Sequence, residues 1–138
     1  MHDRSAPFPE YSFVAYLKDA GGMETPLGGF SDAVGLPQKV TGLHTVGDVT
    51  LKRGVVNSSD LSGWIAAARS GGVSGRLNVV ILQRGAANTP LKSWQLTNAR
   101  PVKYTGPALG GKGEDVAMEE LVLAPEGIEL VGSEAPPK

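Results

Sequence analysis

The sequence predicts a mainly β fold: a small antiparallel β-barrel or curved sandwich with one flanking α-helix. Nineteen glycines and ten prolines in 138 residues cut the chain into short pieces, which favours strands and turns over long helices. Several stretches alternate apolar and polar residues with period two, and a single stretch repeats at helical spacing. Strands and helices do not alternate along the chain, as a parallel α/β fold would require.

The first ten residues, "MHDRSAPFPE", are proline-rich and polar and are expected to form a flexible arm. A single domain is then expected over residues 11–131. Tyr11, Phe13, Ala15 and Leu17 share one face of a first strand, "YSFVAYL". "DAGGMETPLGG" reads as a glycine-rich connection to a second strand, "FSDAVGL" (Phe30 to Leu36), and "PQKVTGLHTVG" as an exposed loop. In "VTLKRGVV" (Val49 to Val56) the alternation puts Val49, Leu51, Arg53 and Val55 on one face. Gly54 there signals a bulge or the close approach of another backbone.

A helix is expected over about residues 59–70. Ser58 or Ser59 can cap it, Asp60 lies in the first turn, and Leu61, Trp64, Ile65 and Ala68 form one apolar stripe. Gly71-Gly72 ends it. "GRLNVVILQRG" follows as a strand with Leu77, Val79 and Ile81 on one face and Val80 and Leu82 on the other; a strand apolar on both sides needs cover on both. "LKSWQLTNARPVKYTGP" is a long strand with Trp94 expected in the core and a break around Asn98 to Pro101. "EDVAMEELVLAPEGIELV" closes the fold as two strands around an "APEG" turn, and residues 132–138 are expected to form a flexible tail.

Composition excludes several classes of function. With no cysteine there are no disulfides, thiolate nucleophiles or Cys-based zinc sites. Thirteen Lys/Arg against fourteen Asp/Glu, with no basic cluster beyond Lys52-Arg53, gives no surface for specific nucleic-acid binding. The longest aliphatic run, "VVIL" (Val79 to Leu82), is far short of a membrane span of about 20 residues. The N-terminal stretch lacks the apolar core of a signal peptide, and the sequon at Asn57 is read as chance in its absence.

Candidate chemistry fails on inspection. "GPALGGKG" begins a phosphate loop with Gly106, Gly111 and Lys112, but position 113 is glycine where a hydroxyl should meet magnesium. His2 and His44 have no ligand spacing, so no metal is expected. Glu119 and Glu120 fall on opposite faces of a strand, and no G-x-S-x-G elbow exists. No catalytic residue, cofactor or enzymatic activity is expected. Lys52-Arg53 admits three readings: a solvated edge pair, a nucleic-acid contact, or an inter-subunit salt bridge. The third suits an arginine on an apolar face, which needs a carboxylate such as Asp115, Glu119 or Glu120.

These segments together resemble a known family, the tail-tube proteins of contractile phages and of related phage-tail-like injection systems. "LKRG" leads to a helix whose Trp64 stands ten residues after Gly54, as in that family. "PLKSWQLTNARPVKYTGPAL" is similar to its second signature, a Trp strand running through an asparagine-alanine pair and a proline to a lysine and a Gly-Pro. "DVAMEELVLAPEGIEL" resembles its closing strands. "FSDAVGL" is similar to an early motif, with Asp32 and Val34 where glutamate and serine are more usual. The connection "KVTGLHTVG" departs from the family, being short where many relatives carry a glycine-rich insertion; a small stacking loop is expected there.

The resemblance implies a tail-tube-like barrel whose copies join edge to edge in hexameric rings, stacked into a hollow tube that a contracting sheath drives through a target envelope. Lys52, Arg53, Gly54, Asp115, Glu119 and Glu120 are the expected subunit-interface residues, with Glu119 facing either the lumen or a neighbour. Implied partners are further copies of the chain, a contractile sheath protein, baseplate or hub and tube-initiator proteins, and a possible lumenal cargo, including DNA in a phage. Assembly in the bacterial cytoplasm is expected, without a cofactor. Two alternatives stand beside this: a tube-initiator or baseplate-proximal protein of the same machine, for which the chain is short, and a monomeric barrel that binds a small ligand.

Overall fold

The computed structural model describes residues 7–19, 21–37, 47–71, 75–109 and 115–133. Its elements run β1 (Phe13–Lys18), β2 (Glu24–Val34), β3 (Val49–Asn57), α1 (Ser58–Arg69), β4 (Leu77–Arg84), β5 (Pro90–Thr105), β6 (Asp115–Ala124) and β7 (Gly127–Ser133). The seven strands form one sheet in the order β4-β1-β2-β3-β6-β5-β7, every pairing antiparallel. An additional β4–β5 pairing brings the first strand of that order back against β5. The result is a mainly β domain with one helix at its flank.

Strand β2 begins at Glu24, six residues before the expected Phe30. The "LGG" that reads as a connection is inside the sheet because the packing there has no space for side chains. A Cβ on Gly28 would strike the Val55 carbonyl oxygen of β3, and one on Gly29 would strike the Phe8 and Tyr11 side chains. Glycine weakens a strand intrinsically, but here close contact decides the residue.

The helix is capped one residue earlier than expected. Asn57, not Ser58 or Ser59, accepts a 3.0 Å hydrogen bond from the Asp60 amide through its side chain, while Ser58 is buried. Asn57 also ends β3, so strand and helix meet without a linker. That junction carries Leu61 and Trp64 directly into the core.

Strand β5 does not stop at the expected break; it changes partners there. Residues 92–97 pair with β7, and residues 100–105 pair with β6 on the same side. Asn98, between the two, has a φ of 49° and is held by polar contacts: its amide donates to Asn78 Oδ1 and its Nδ2 to Glu126 Oε1, each at 3.0 Å. Arg76 pairs with the same Glu126.

One core lies inside the sheet. Ala15, Leu27, Phe30, Val49, Leu51, Val56, Val79, Ile81, Trp94, Leu96, Leu121 and Leu123 are fully buried there, with Ile65 and Leu77 half-buried against them. Each buried indole N–H has a partner, as burial demands. Trp64 Nε1 donates to the Gly75 carbonyl at 3.0 Å and Trp94 Nε1 to that of Pro37 at 2.7 Å. Trp64 thereby ties the helix to the start of β4, and Trp94 ties the chain after β2 to β5. Trp64→Ala should destabilise the domain by about 3–5 kcal/mol, read from the urea midpoint; an unchanged midpoint would remove it from the core.

Candidate assembly surface

The expected interface residues cluster where β2, β3 and β6 run side by side. Phe30, Gly54 and Met118 pair across the three strands, and so do Asp32, Lys52 and Glu120. Between these levels lie Ser31, Arg53 and Glu119, all exposed. Regular alternation fails at this row. Leu51 and Gly54 are both buried although three residues apart, as are Met118 and Leu121, and Phe30 and Ala33 both pack on the core. The pleat reverses its phase in three neighbouring strands at one level.

Arg53 is the residue at which β3 reverses, with a φ of +52°. The left-handed region is unfavourable for a side chain with a Cβ. Its effect is to turn Arg53 outward and to exchange the faces of Val55 and Val56. The expectation that Arg53 shares the apolar face of Val49, Leu51 and Val55 is therefore corrected. Val56 is fully buried and Val55 only half-buried, while the Arg53 side chain is 62% exposed. Within the chain it pairs with Asp32 of β2.

Two consecutive outward residues per strand make a compact polar block of Ser31, Asp32, Lys52, Arg53, Glu119 and Glu120. Lys103 of β5 extends it, its ammonium 3.3 Å from Glu120. Asp32, Lys52 and Glu120 alternate in sign at a single level, the favourable arrangement for cross-strand pairs. Three cations face three carboxylates, so the block has little net field. Its ion pairs are exposed and each contributes about 0–1 kcal/mol.

The other two expected residues lie elsewhere. Gly54 is buried, pressed so closely on β2 that a Cβ would collide with the Gly29 carbonyl. It shapes the block from beneath and is not part of the exposed surface. Asp115 is at the far end of β6, opposite Asn57, beside a cleft lined by Phe8, Tyr11, Pro26 and Val55. His44, Lys112 and residues 39–46 of the expected stacking loop "KVTGLHTVG" lie outside the described residues.

A groove of about 610 Å³ runs between α1 and the second half of β5, with Ile65, Arg69, Arg100, Val102, Lys103 and Leu109 among its walls. Tyr104, also on this groove, donates its phenol to the Pro107 carbonyl at 2.8 Å, and burial raises its pKa above the usual tyrosine value. Among the described residues no group of three or more His, Asp or Glu side chains could hold a metal ion, and no helix is long and apolar enough to cross a membrane. Sequence reasoning missed Asp32 as the partner of Arg53 and overlooked Lys103. The acidic position in "FSDAVGL" was the available signal for Asp32; Lys103 carried none.

This arrangement is a set of paired charges on the exposed face of a β-sheet. Residues 21–129 match the family of the T4-like virus tail tube protein gp19, and the chain belongs to that tail-tube family. No curated protein sequence matches it. The fold is similar to that of a chain in the cryo-EM structure of the anti-feeding prophage (AFP) baseplate, with 21% identity and a TM-score of 0.58, covering 96% of this chain and 100% of that one. It also resembles a chain of the PVC sheath/tube terminator of an extracellular contractile injection system, at 18% identity, TM-score 0.57, and 93% and 99% coverage. A chain of the PVC sheath-tube complex is similar at 20% identity, TM-score 0.55, and 93% coverage of each.

Gly54→Ala should destabilise the domain by about 1–3 kcal/mol, because strands β2 and β3 must separate to admit the methyl group. The urea midpoint measures this, and an unaltered value would show that the contact is not tight.

Proposed function

We propose that this chain is a structural subunit of the rigid inner tube of a contractile injection system or phage tail. Six copies form a ring, rings stack around a lumen, and sheath contraction drives the tube through a target envelope. The observation that carries this reading is membership of the tail-tube family across residues 21–129. The pairing pattern supports it physically. The circuit β4-β1-β2-β3-β6-β5 and back to β4 suits a small barrel, with β7 continuing β6 along the same side of β5.

Of the stretches in this circuit that have one neighbour among the described residues, two suit a joint between copies. Ser31 to Val34 of β2 pair with β3 alone, and Arg100 to Thr105 of β5 pair with β6 alone, among the described residues. Each carries an exposed valine, Val34 and Val102. Asp32 lies on the first stretch, Arg100 and Lys103 on the second. Unpaired edges need a partner or protection. Joining the β2 edge of one copy to the β5 edge of the next extends β2-β3-β6-β5 around a ring, with the groove beside β5 at the joint. The polar block then lies on a continuous wall, and Arg53 keeps an unfavourable backbone conformation because its outward side chain bridges there.

The sheath, the baseplate or hub and a tube initiator are the protein partners on this reading, with lumenal cargo and assembly in the bacterial cytoplasm. A second reading is a cap or baseplate-proximal ring of the same machine, favoured by the similarity to chains in the terminator and baseplate assemblies.

Negative-stain micrographs of the purified chain should show six-fold rings or hollow rods. A chain that stays monomeric at high concentration would overturn the proposal in favour of a solitary ligand-binding barrel. Arg53→Glu places a carboxylate beside Asp32 and should abolish rods while shifting folding stability by less than about 1 kcal/mol, as for other exposed charges. Rods of normal length from that variant would take Arg53 out of the joint.

A further inference from the structure

Residues 7–11 lie over the outer side of β4, β1 and β2. Arg84, the last residue of β4, holds them. Its guanidinium donates to the carbonyls of Pro7 at 3.0 Å, Phe8 at 2.6 Å and Tyr11 at 3.0 Å, and its amide donates to Ser12 at 2.7 Å. Arg84 is only 5% exposed, pairs with no carboxylate among the described residues, and leaves its buried Nε without a hydrogen-bond partner there. Residues 7–10 fall in the stretch expected to be a loose arm.

The segment cannot hold itself to the sheet. Pro7 and Pro9 have no N–H to offer a ladder. The described hydrogen bond made by its own amides, Tyr11 to Phe8 at 3.1 Å, is an internal turn. What binds it is Arg84 and the seating of Phe8 and Tyr11 on Gly29, where a Cβ would displace both side chains. Beneath it Val14 is fully buried although it is not part of the main core.

Against these contacts stands a cost. Phe8 has a φ of +51°, unfavourable for a bulky residue and more so before a proline. Burial also disfavours the charged guanidinium, lowering the Arg84 pKa. Favourable and unfavourable contributions are thus gathered in a few residues that share no side chain with the main core.

We propose that residues 7–11 are a strap that opens and closes independently of the sheet, with Arg84 as its latch and Gly29 as its seat. Closed, it covers Val14 and borders the cleft at Val55 and Asp115. Open, it bares that apolar patch beside the strands of the polar block, so the latch governs which surface a free subunit presents. The device belongs to the single chain and stands whether or not the chain forms tubes.

Hydrogen exchange on the intact chain tests it. Arg84→Met should raise exchange at the Tyr11 amide, whose hydrogen bond lies within the strap, by at least about tenfold while leaving the ladder amides of residues 13–14, 28–30, 79 and 81 protected, since opening is local. Binding of a hydrophobic dye should rise in parallel. Gly29→Ala, which keeps the arginine but crowds Phe8, should give the same pattern. Arg84→Lys should fall between, because one ammonium cannot serve three spread carbonyls. Exchange that rises equally over strap and core, or that stays at the parent level without Arg84, would overturn the proposal.

Discussion

Strands β2 and β3 approach so closely at Gly28 and Gly54 that neither position has room for a side chain. Much of the molecule depends on that contact. It brings the backbones together just where Arg53 adopts its left-handed conformation, and the reversal of pleat passes from β3 into the strands on both sides. Above the contact the reversal turns two polar residues outward in each strand. Nearby, Phe8 and Tyr11 rest on β2 at Gly29. One steric constraint thus organises a polar surface and an apolar seat on neighbouring parts of the sheet.

The helix answers a different need. A sheet curved enough to bring β4 against β5 encloses a core that is open at one end unless something apolar fills it. Asn57 ends β3 and starts α1 at once, which leaves the helix little freedom except to send Leu61 and Trp64 into that end. The indole N–H bonds of Trp64 and Trp94 then fasten segments outside the strands to the core. Packing and polar satisfaction point to one arrangement, the consistency expected of a sequence that specifies a single fold.

Features that follow from side-chain period or chemistry were legible in the sequence. The helix and its Trp64 stripe, the two-faced β4, the close approach at Gly54 and the resemblance carried by "LKRG" rest on residues that announce themselves. Features set by backbone contacts were not. Gly28 and Gly29 looked like a connection because glycine is disfavoured in strands, and only the neighbouring backbone explains their presence. Arg53 was assigned to the wrong face because counting by twos assumes an uninterrupted pleat, and a single positive φ defeats it. Arg84 gave no signal at all: its acceptors are backbone carbonyls more than seventy residues away in the chain, two of them beside prolines that read as a mobile arm.

Strand β5 has a mechanical consequence. Sixteen residues run unbroken from the ladder with β4 and β7 into the ladder with β6. Where the lateral partner changes, continuity rests on the covalent chain of β5, braced by Asn78, Asn98, Arg76 and Glu126. A load directed along that strand crosses the junction through peptide bonds, so the place where the sheet is most divided sideways is the place where it is least able to stretch.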